Sequence, residues 1–248
     1  MVSVCMATYN GSKYLKEQID SVLSQLSEDD ELIISDDAST DNTIDLIMSY
    51  HDDRIKLLHH NPLEVSPNDT FLGHKRASSN FENALKNAKG DFIFLSDQDD
   101  VWKDNKVKYC LKYLQNYSLV TSDCSVIDGN GNILKKAHYS GVSPIHKNLY
   151  ANITDMPFKG SCIAFKSEIL DYVLPFPRGT VVHDDWIGCL ACHFKSIFFI
   201  NTPLFYYRIH GSNISRGKIN PLILQIEYRL CFLINIIQRI LKIRIYGT

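Results

Sequence analysis

The chain has 248 residues, enough for one large α/β domain or for one domain with a short appendage. Hydrophobic residues make up 45% and charged residues 22%, an ordinary globular balance. The net charge of -2 provides no global positive field, so no nucleic-acid partner is expected. Seven cysteines, an odd number, sit mostly in apolar stretches, and Met1 runs directly into a strand-like segment. Reduced thiols and a cytoplasmic location are therefore expected.

Residues 2–9 form an apolar run that ends at the turn signal Asn10-Gly11-Ser12. Residues 13–25 carry Tyr14, Leu15, Ile19, Val22 and Leu23 at helical spacing. A second strand is predicted at 31–35, stopped by Asp36-Asp37, with a helix over roughly 43–51 and a third strand at 55–59. This β-α-β-α-β order argues a parallel sheet with helices on both faces. An irregular stretch at 61–77 precedes a helix at about 78–88. The most apolar strand, 92–96, then runs into Asp97-Gln98-Asp99-Asp100. Further strands are predicted near 118–123, at 157–166 and at 197–207, with a helix at 184–195.

The last 25 residues or so differ. Residues 222–246 are rich in Ile and Leu, with Arg229, Arg239, Lys242 and Arg244 interspersed. The uncharged run from Leu230 to Gln238 is too short to span a bilayer. A helix of this pattern suits either peripheral contact with a membrane or a homodimer interface. The division expected is a main α/β domain at 1–217 and a helical tail at 218–248.

Cys189, Cys192 and His193 spell the haem-attachment pattern C-x-x-C-H. Two small buried thiols on one helix face is the preferred reading. The sequons at Asn152 and Asn213 carry little information.

In open α/β sheets, ligands bind beyond the carboxyl ends of the strands. Here those ends bear Thr8, Tyr9 and Asn10, then Asp36 and Asp37, then Asp97 to Asp100. An aromatic face, a base-reading acid and a carboxylate cluster suit a nucleoside diphosphate held with a hard divalent cation. Solvated turn acids are the plain alternative.

The stretches VSVCMATYNGSKYLKEQIDSVLSQ, ELIISDDASTDNT, GDFIFLSDQDDVW, LPFPRGTVVHDDWIG and YYRIHGSNIS resemble family 2 glycosyltransferases. The likeness is to the rhamnosyltransferase-like branch of bacterial surface-polysaccharide enzymes, and it covers about residues 1–216 in order. It implies a three-layer α/β/α GT-A fold and inverting transfer from a nucleotide sugar, either dTDP-rhamnose or a UDP-hexose. The implied acceptor is a saccharide or a lipid-linked oligosaccharide, and the implied cofactor is Mn2+ or Mg2+. By the same resemblance, Thr8, Tyr9, Asn10, Asp37 and Asp97 hold the nucleotide and Arg208 meets phosphate; Lys75 and Arg76, placed before a helix, are further candidates for phosphate. Asp99 and His210 ligate metal, and Asp184 is the catalytic base. Asp185 beside it departs from many relatives and blurs that choice. Gly160 and Ser161 are expected near the sugar, and Trp102 and Trp186 are read as core.

Two other readings stand beside this one. A nucleotidyltransferase would need a Gly-rich basic loop after the first strand, which residues 8–13 (TYNGSK) match poorly. A non-catalytic carbohydrate-binding relative would lack the acid at 99 or 184, and both are present.

Overall fold

Alternation within the first strands decides the layering. The structure, a computed structural model, describes every residue except 63, 65, 67, 147, 179, 181, 212, 214–221 and 248. Strand β1 (Val2–Thr8) sends Val4 and Met6 into one buried cluster and Cys5 into another. β2 (Glu31–Asp36) does the same with Leu32 and Ile34 against Ile33, and β4 (Phe92–Asp97) with Phe94 against Ile93 and Leu95. Successive side chains leave a strand on opposite faces, so both faces of this sheet must be covered.

They are covered by different helices. α1 (Ser12–Leu23), α2 (Thr43–Met48) and α4 (Lys106–Leu114) contribute Leu15, Ile19, Ile47, Val107 and Cys110 to one cluster. α3 (Leu72–Lys86), α7 (His183–Phe194) and α8 (Leu222–Tyr246) contribute Phe81, Trp186, Ile187, Phe232 and Ile236 to the other. The result is the expected three-layer α/β/α architecture.

The sheet order is β3-β2-β1-β4-β8-β6-β9-β5. β3 (Ile55–His59) completes a parallel block with β2, β1 and β4. β8 (Ile163–Lys166) is antiparallel to both its neighbours, β4 and β6 (Leu119–Asp128). The parallel expectation thus holds for the first 60 residues and gives way to a mixed sheet beyond β4. β9 (Ile197–Ile209) runs parallel to β6 and antiparallel to the two-residue β5 (Val101–Trp102). β7 (Ile133–Lys135) pairs with β6 at the edge.

Several bounds differ from the sequence reading. α3 begins at Leu72 rather than 78, within the stretch read as irregular. Of the strand predicted at 157–166, only 163–166 is extended, because Gly160–Cys162 winds into a 3-10 turn. α4, β5, β7, α5 (Leu149–Asp155) and the four-residue α6 (Leu170–Val173) were not anticipated. Cys189 is buried and Cys192 half-buried, both on α7.

The tail joins the core. Phe232, Ile236 and Ile240 of α8 pack into the cluster around Trp186. The Arg239 guanidinium donates to the carbonyls of Tyr172, Leu174 and Pro175 and lies 5.4 Å from the Trp186 ring centroid. Trp186 is itself buried and donates Nε1–H to the Val173 carbonyl at 2.9 Å. Trp102 is buried too, so both tryptophans are core residues. Among the described residues, no helix is long and apolar enough to cross a membrane.

Candidate active site

Parallel pairing in register brings the carboxyl ends of β1, β2 and β4 level. Thr8 pairs with Asp36, and Ala7 with Asp97. Thr8 donates its hydroxyl to Asp36 Oδ2 at 2.8 Å, and its carbonyl accepts from Asp37 N–H and from Asn80 Nδ2. Asn10 takes a left-handed conformation (φ 47). Its side-chain oxygen accepts from Thr40 N–H at 2.8 Å, while its own N–H donates to Ser39 Oγ. Asn10 therefore ties the β1–α1 loop to the β2–α2 loop.

Tyr9 is 47% exposed above these ends. Its N–H donates to Gln98 Oε1 at 2.9 Å and its carbonyl accepts from Gln98 Nε2 at 3.1 Å. Gln98 presses so close to Gly11 that a Cβ there would sit 2.2 Å from Oε1, so the position favours glycine.

Asp37 is buried, and both of its carboxylate oxygens are engaged. His60 Nδ1 lies 2.7 Å from Oδ1, and Arg76 Nε donates to Oδ2 at 2.6 Å. The Arg76 guanidinium also sits 4.8 Å from the Tyr9 ring centroid. Tyr9, Arg76 and Asp37 thus form one wall, an aromatic and a cation with an acid behind. Lys75, expected at phosphate, instead pairs with Asp69 at 2.6 Å. Its neighbour Arg76, the other cation expected there, is the one that meets Asp37 and Tyr9. His60 was not anticipated at all; a lone His after a strand gives no signal by itself.

The acid loop after β4 is crowded. Ser161 Oγ donates to Asp97 Oδ2 at 3.0 Å, and burial, then the Asp99 charge, push the Asp97 carboxyl up to about 7. Asp100 is fully buried, accepts from Arg208 N–H on Oδ1, and among the described residues has no hydrogen-bond partner on Oδ2; its pKa is raised strongly by burial, then by Asp99 and Asp97. Asp99 Oδ2 lies 2.7 Å from His210 Nε2 and accepts from Asn213 Nδ2 at 3.2 Å. Beneath them Lys106, also unanticipated, is buried with Nζ donating to the Ser161 carbonyl at 2.5 Å. Burial depresses its ammonium.

Carboxylates that raise one another suit a divalent cation, and a carboxylate with an imidazole is a fitting donor pair for Mn2+ or Mg2+. Among the described residues no three His, Cys, Asp or Glu side chains converge as a ligand set. Asp99 and His210 offer two, and a diphosphate can supply the remaining oxygens.

The pairing of β5 with β9 explains why His210 arrives here. Val101 faces Tyr206 in an antiparallel register, so the chain beyond Tyr206 runs back alongside Asp100 and Asp99. Arg208 lies within this closure. Its Nε donates to the Asp99 carbonyl at 2.9 Å, Nη2 to Glu17 at 2.5 Å, and its guanidinium covers the Tyr14 ring at 4.8 Å. It is buried, so in this arrangement it braces the acid loop from behind, where a phosphate contact had been expected.

On the opposite wall, α7 begins at His183. Gly160 lets the 3-10 turn come close, since a Cβ there would be 3.4 Å from His183 Nε2 and 3.9 Å from Asp97 Oδ2. His183 stacks on Phe81 at 4.1 Å. Asp184 and Asp185 separate as helical geometry requires. Asp185 is buried and accepts from Phe158 N–H at 3.1 Å; burial raises its pKa well above the usual carboxylate range. Asp184 is half-buried, accepts from Asp185 N–H at 3.0 Å, and its charge adds to the burial and the Asp99 charge that raise Asp97.

The chain matches the model of "Glycosyl transferase family 2" over residues 3–174. It is 32% identical over 224 residues to the dTDP-rhamnosyl transferase RfbG of Shigella flexneri, covering 84% of this chain and 72% of that one. It is 30% identical over 229 residues to the UDP-Glc:alpha-D-GlcNAc-diphosphoundecaprenol beta-1,3-glucosyltransferase WfgD of Escherichia coli, covering 90% and 82%. Against an uncharacterized glycosyltransferase of Nostoc sp. it is 30% identical and spans 66% of that protein's length. The S. aureus TarS structure with UDP-GlcNAc superposes with a TM-score of 0.67 at 19% identity, covering 89% of this chain and 62% of that chain. That likeness extends the fold assignment to GT-A. With five motifs in order, strand ends aligned around an acid cluster, and a family match across most of its length, the chain belongs to glycosyl transferase family 2.

Proposed function

We propose that this domain transfers a sugar, with inversion, from a pyrimidine-nucleotide donor to a saccharide hydroxyl in bacterial surface-polysaccharide synthesis. The observation that carries it is the split between two neighbouring acids. Asp185 is buried against Phe158, while Asp184 stands half-buried at the mouth of α7, within electrostatic reach of Asp97.

In this reading Tyr9, Asp37 and Arg76 form the nucleoside wall. Asp97, bonded to Ser161, faces the ribose and diphosphate side. A divalent ion held by Asp99 and His210 would neutralise charge developing on the leaving diphosphate. Asp184 accepts the proton of the acceptor hydroxyl as its oxygen attacks the anomeric carbon, and the diphosphate departs with the bonding pair. A carboxylate suffices because the leaving group is good and position matters most. Donors of the dTDP-rhamnose and UDP-hexose classes are supported by the names of RfbG and WfgD. A lipid-linked saccharide acceptor, met at a membrane surface, is supported by the diphosphoundecaprenol acceptor in the name of WfgD.

The test mixes the protein with donor, acceptor and Mn2+ and measures released nucleoside diphosphate. Release that needs both donor and acceptor is expected. Pyrophosphate release would point to a nucleotidyltransferase, and no release with any donor to a binding protein; either result defeats the reading.

A further inference from the structure

α8 is apolar on two sides. One side is spent on the core through Phe232, Ile236 and Ile240. The other presents a second stripe from Ile223 through Leu230, Ile234 and Leu241 to Ile245, with its Ile and Leu side chains 43–69% exposed. Its members recur at three- and four-residue steps, and Ile223, Ile234 and Ile245 are each 11 residues apart. That period is close to a whole number of turns, drifting by only about 20° per repeat. The stripe therefore keeps to one side along a helix of about 37 Å, at 1.5 Å per residue. An exposed apolar strip of this length marks an interaction surface.

The flanks indicate what it meets. Lys242 and Arg244 are exposed near the end of the stripe, and Tyr246 and, from α5, Tyr150 are 80% and 65% exposed beside it. Tyr150, Ile237, Leu241 and Arg244 line one shared groove. Against these, the helix carries a single acid, Glu227, too little to complement the cations of a second copy. Cations and tyrosines edging an aliphatic face match a helix lying in a bilayer interface, where ring and ammonium stay at headgroup level.

Position ties this face to the active site. Phe232, on the inner side of α8, packs edge-on against Trp186 in the first turn of α7, with ring centroids 6.3 Å apart. The stripe thus lies roughly one helix diameter, about 10 Å, from the start of α7.

We propose that the outer face of α8 docks on an anionic lipid bilayer, parallel to its plane, and holds the Asp184 end of the cleft at the membrane surface. The inference rests on the lipid-linked acceptor reading above, and it names the surface on which that acceptor is met.

Flotation of the full chain with vesicles tests it. Phosphatidylglycerol–phosphatidylethanolamine vesicles should carry the protein about tenfold better than phosphatidylcholine vesicles. Ile234→Asp with Leu241→Asp should reduce that partition by about tenfold or more, and Lys242→Gln with Arg244→Gln should remove the preference for anionic lipid. Thermal stabilisation by UDP or dTDP checks that each variant is folded, and the charge variants serve even if the aspartates disturb packing. Protein that stays with the unbound fraction for both vesicle types overturns the proposal. So does a dimer, indifferent to vesicles, that the aspartate pair splits, since it gives the face to a second copy. Flotation needs no turnover, so its failure is distinct from failure of the transfer reading.

Discussion

The proposed donor wall and the closing loop of this cleft are assembled in opposite ways. The donor wall comes from the ends of β1, β2 and β4, and Asp37 meets His60 and Arg76 across only 23 and 39 residues. The closing loop joins Asp99 to His210 across 111 residues, through the two-residue β5. A wall made of adjacent crossovers is fixed once the sheet forms. The closing segment is instead fixed by long-range pairing, of β9 with β6 up to Ile209 and with β5, and by Arg208, His210 and Asn213 meeting Asp99.

That contrast can be broken most severely at the proposed base, Asp184, which belongs to neither half. Asp184→Asn should cut transfer by about three orders of magnitude, because the acceptor hydroxyl loses its proton acceptor. Nucleoside-diphosphate affinity, read by calorimetry, should stay within a few-fold. An active Asp184→Asn enzyme alongside a dead Asp185→Asn enzyme would move the base by one residue.

Next in size is the closing loop. Asp99→Ala and His210→Ala should each lower turnover by roughly a hundredfold and raise the Mn2+ concentration needed for half-activity. EDTA should abolish wild-type transfer and Mn2+ or Mg2+ restore it. Full activity of Asp99→Ala in EDTA would remove the metal from the mechanism.

The donor wall should respond in affinity instead. Asp37→Ala leaves His60 and Arg76 without their shared acid and should weaken donor binding by about tenfold, the scale of one charge-assisted hydrogen bond. kcat at saturating donor should change little. An equal fall in kcat with unchanged donor affinity would mean the wall acts on chemistry.

The smallest effect on turnover is expected at Asp185. Its raised pKa means that the folded protein holds a proton which the unfolded chain releases above about 4. Stability should therefore fall as pH rises from that value, by up to about 1.4 kcal/mol per pH unit until the folded-state pKa is reached. Asp185→Asn keeps an oxygen for the Phe158 N–H and cannot ionise. It should flatten that slope in denaturant titrations between pH 5 and 7 while turnover stays within a few-fold. An unchanged slope would show that Asp185 is already ionised.

What the sequence determined by itself is the cluster of polar residues at the strand ends. Apolar alternation in 2–8, 31–36 and 92–97 dictated strands buried on both faces, and the polar residues ending them had to gather at one sheet edge. Thr8, Tyr9, Asn10, Asp37 and Asp97 follow from that local pattern, and the start of α7 separates Asp184 from Asp185 by helical geometry alone. Short elements escaped: α4, α5, β5 and β7 span two to nine residues, too few for a period to stand out. Only the tertiary structure decided that β8 enters antiparallel between β4 and β6, and that Arg76 rather than Lys75 meets Asp37. It likewise buried Arg208 behind Asp99 and left half of α8's apolar surface uncovered. Each of these depends on which distant segment packs beside which. Side-chain periodicity tells that a face must be buried, but the choice of what buries it is made by the contacts of the folded chain.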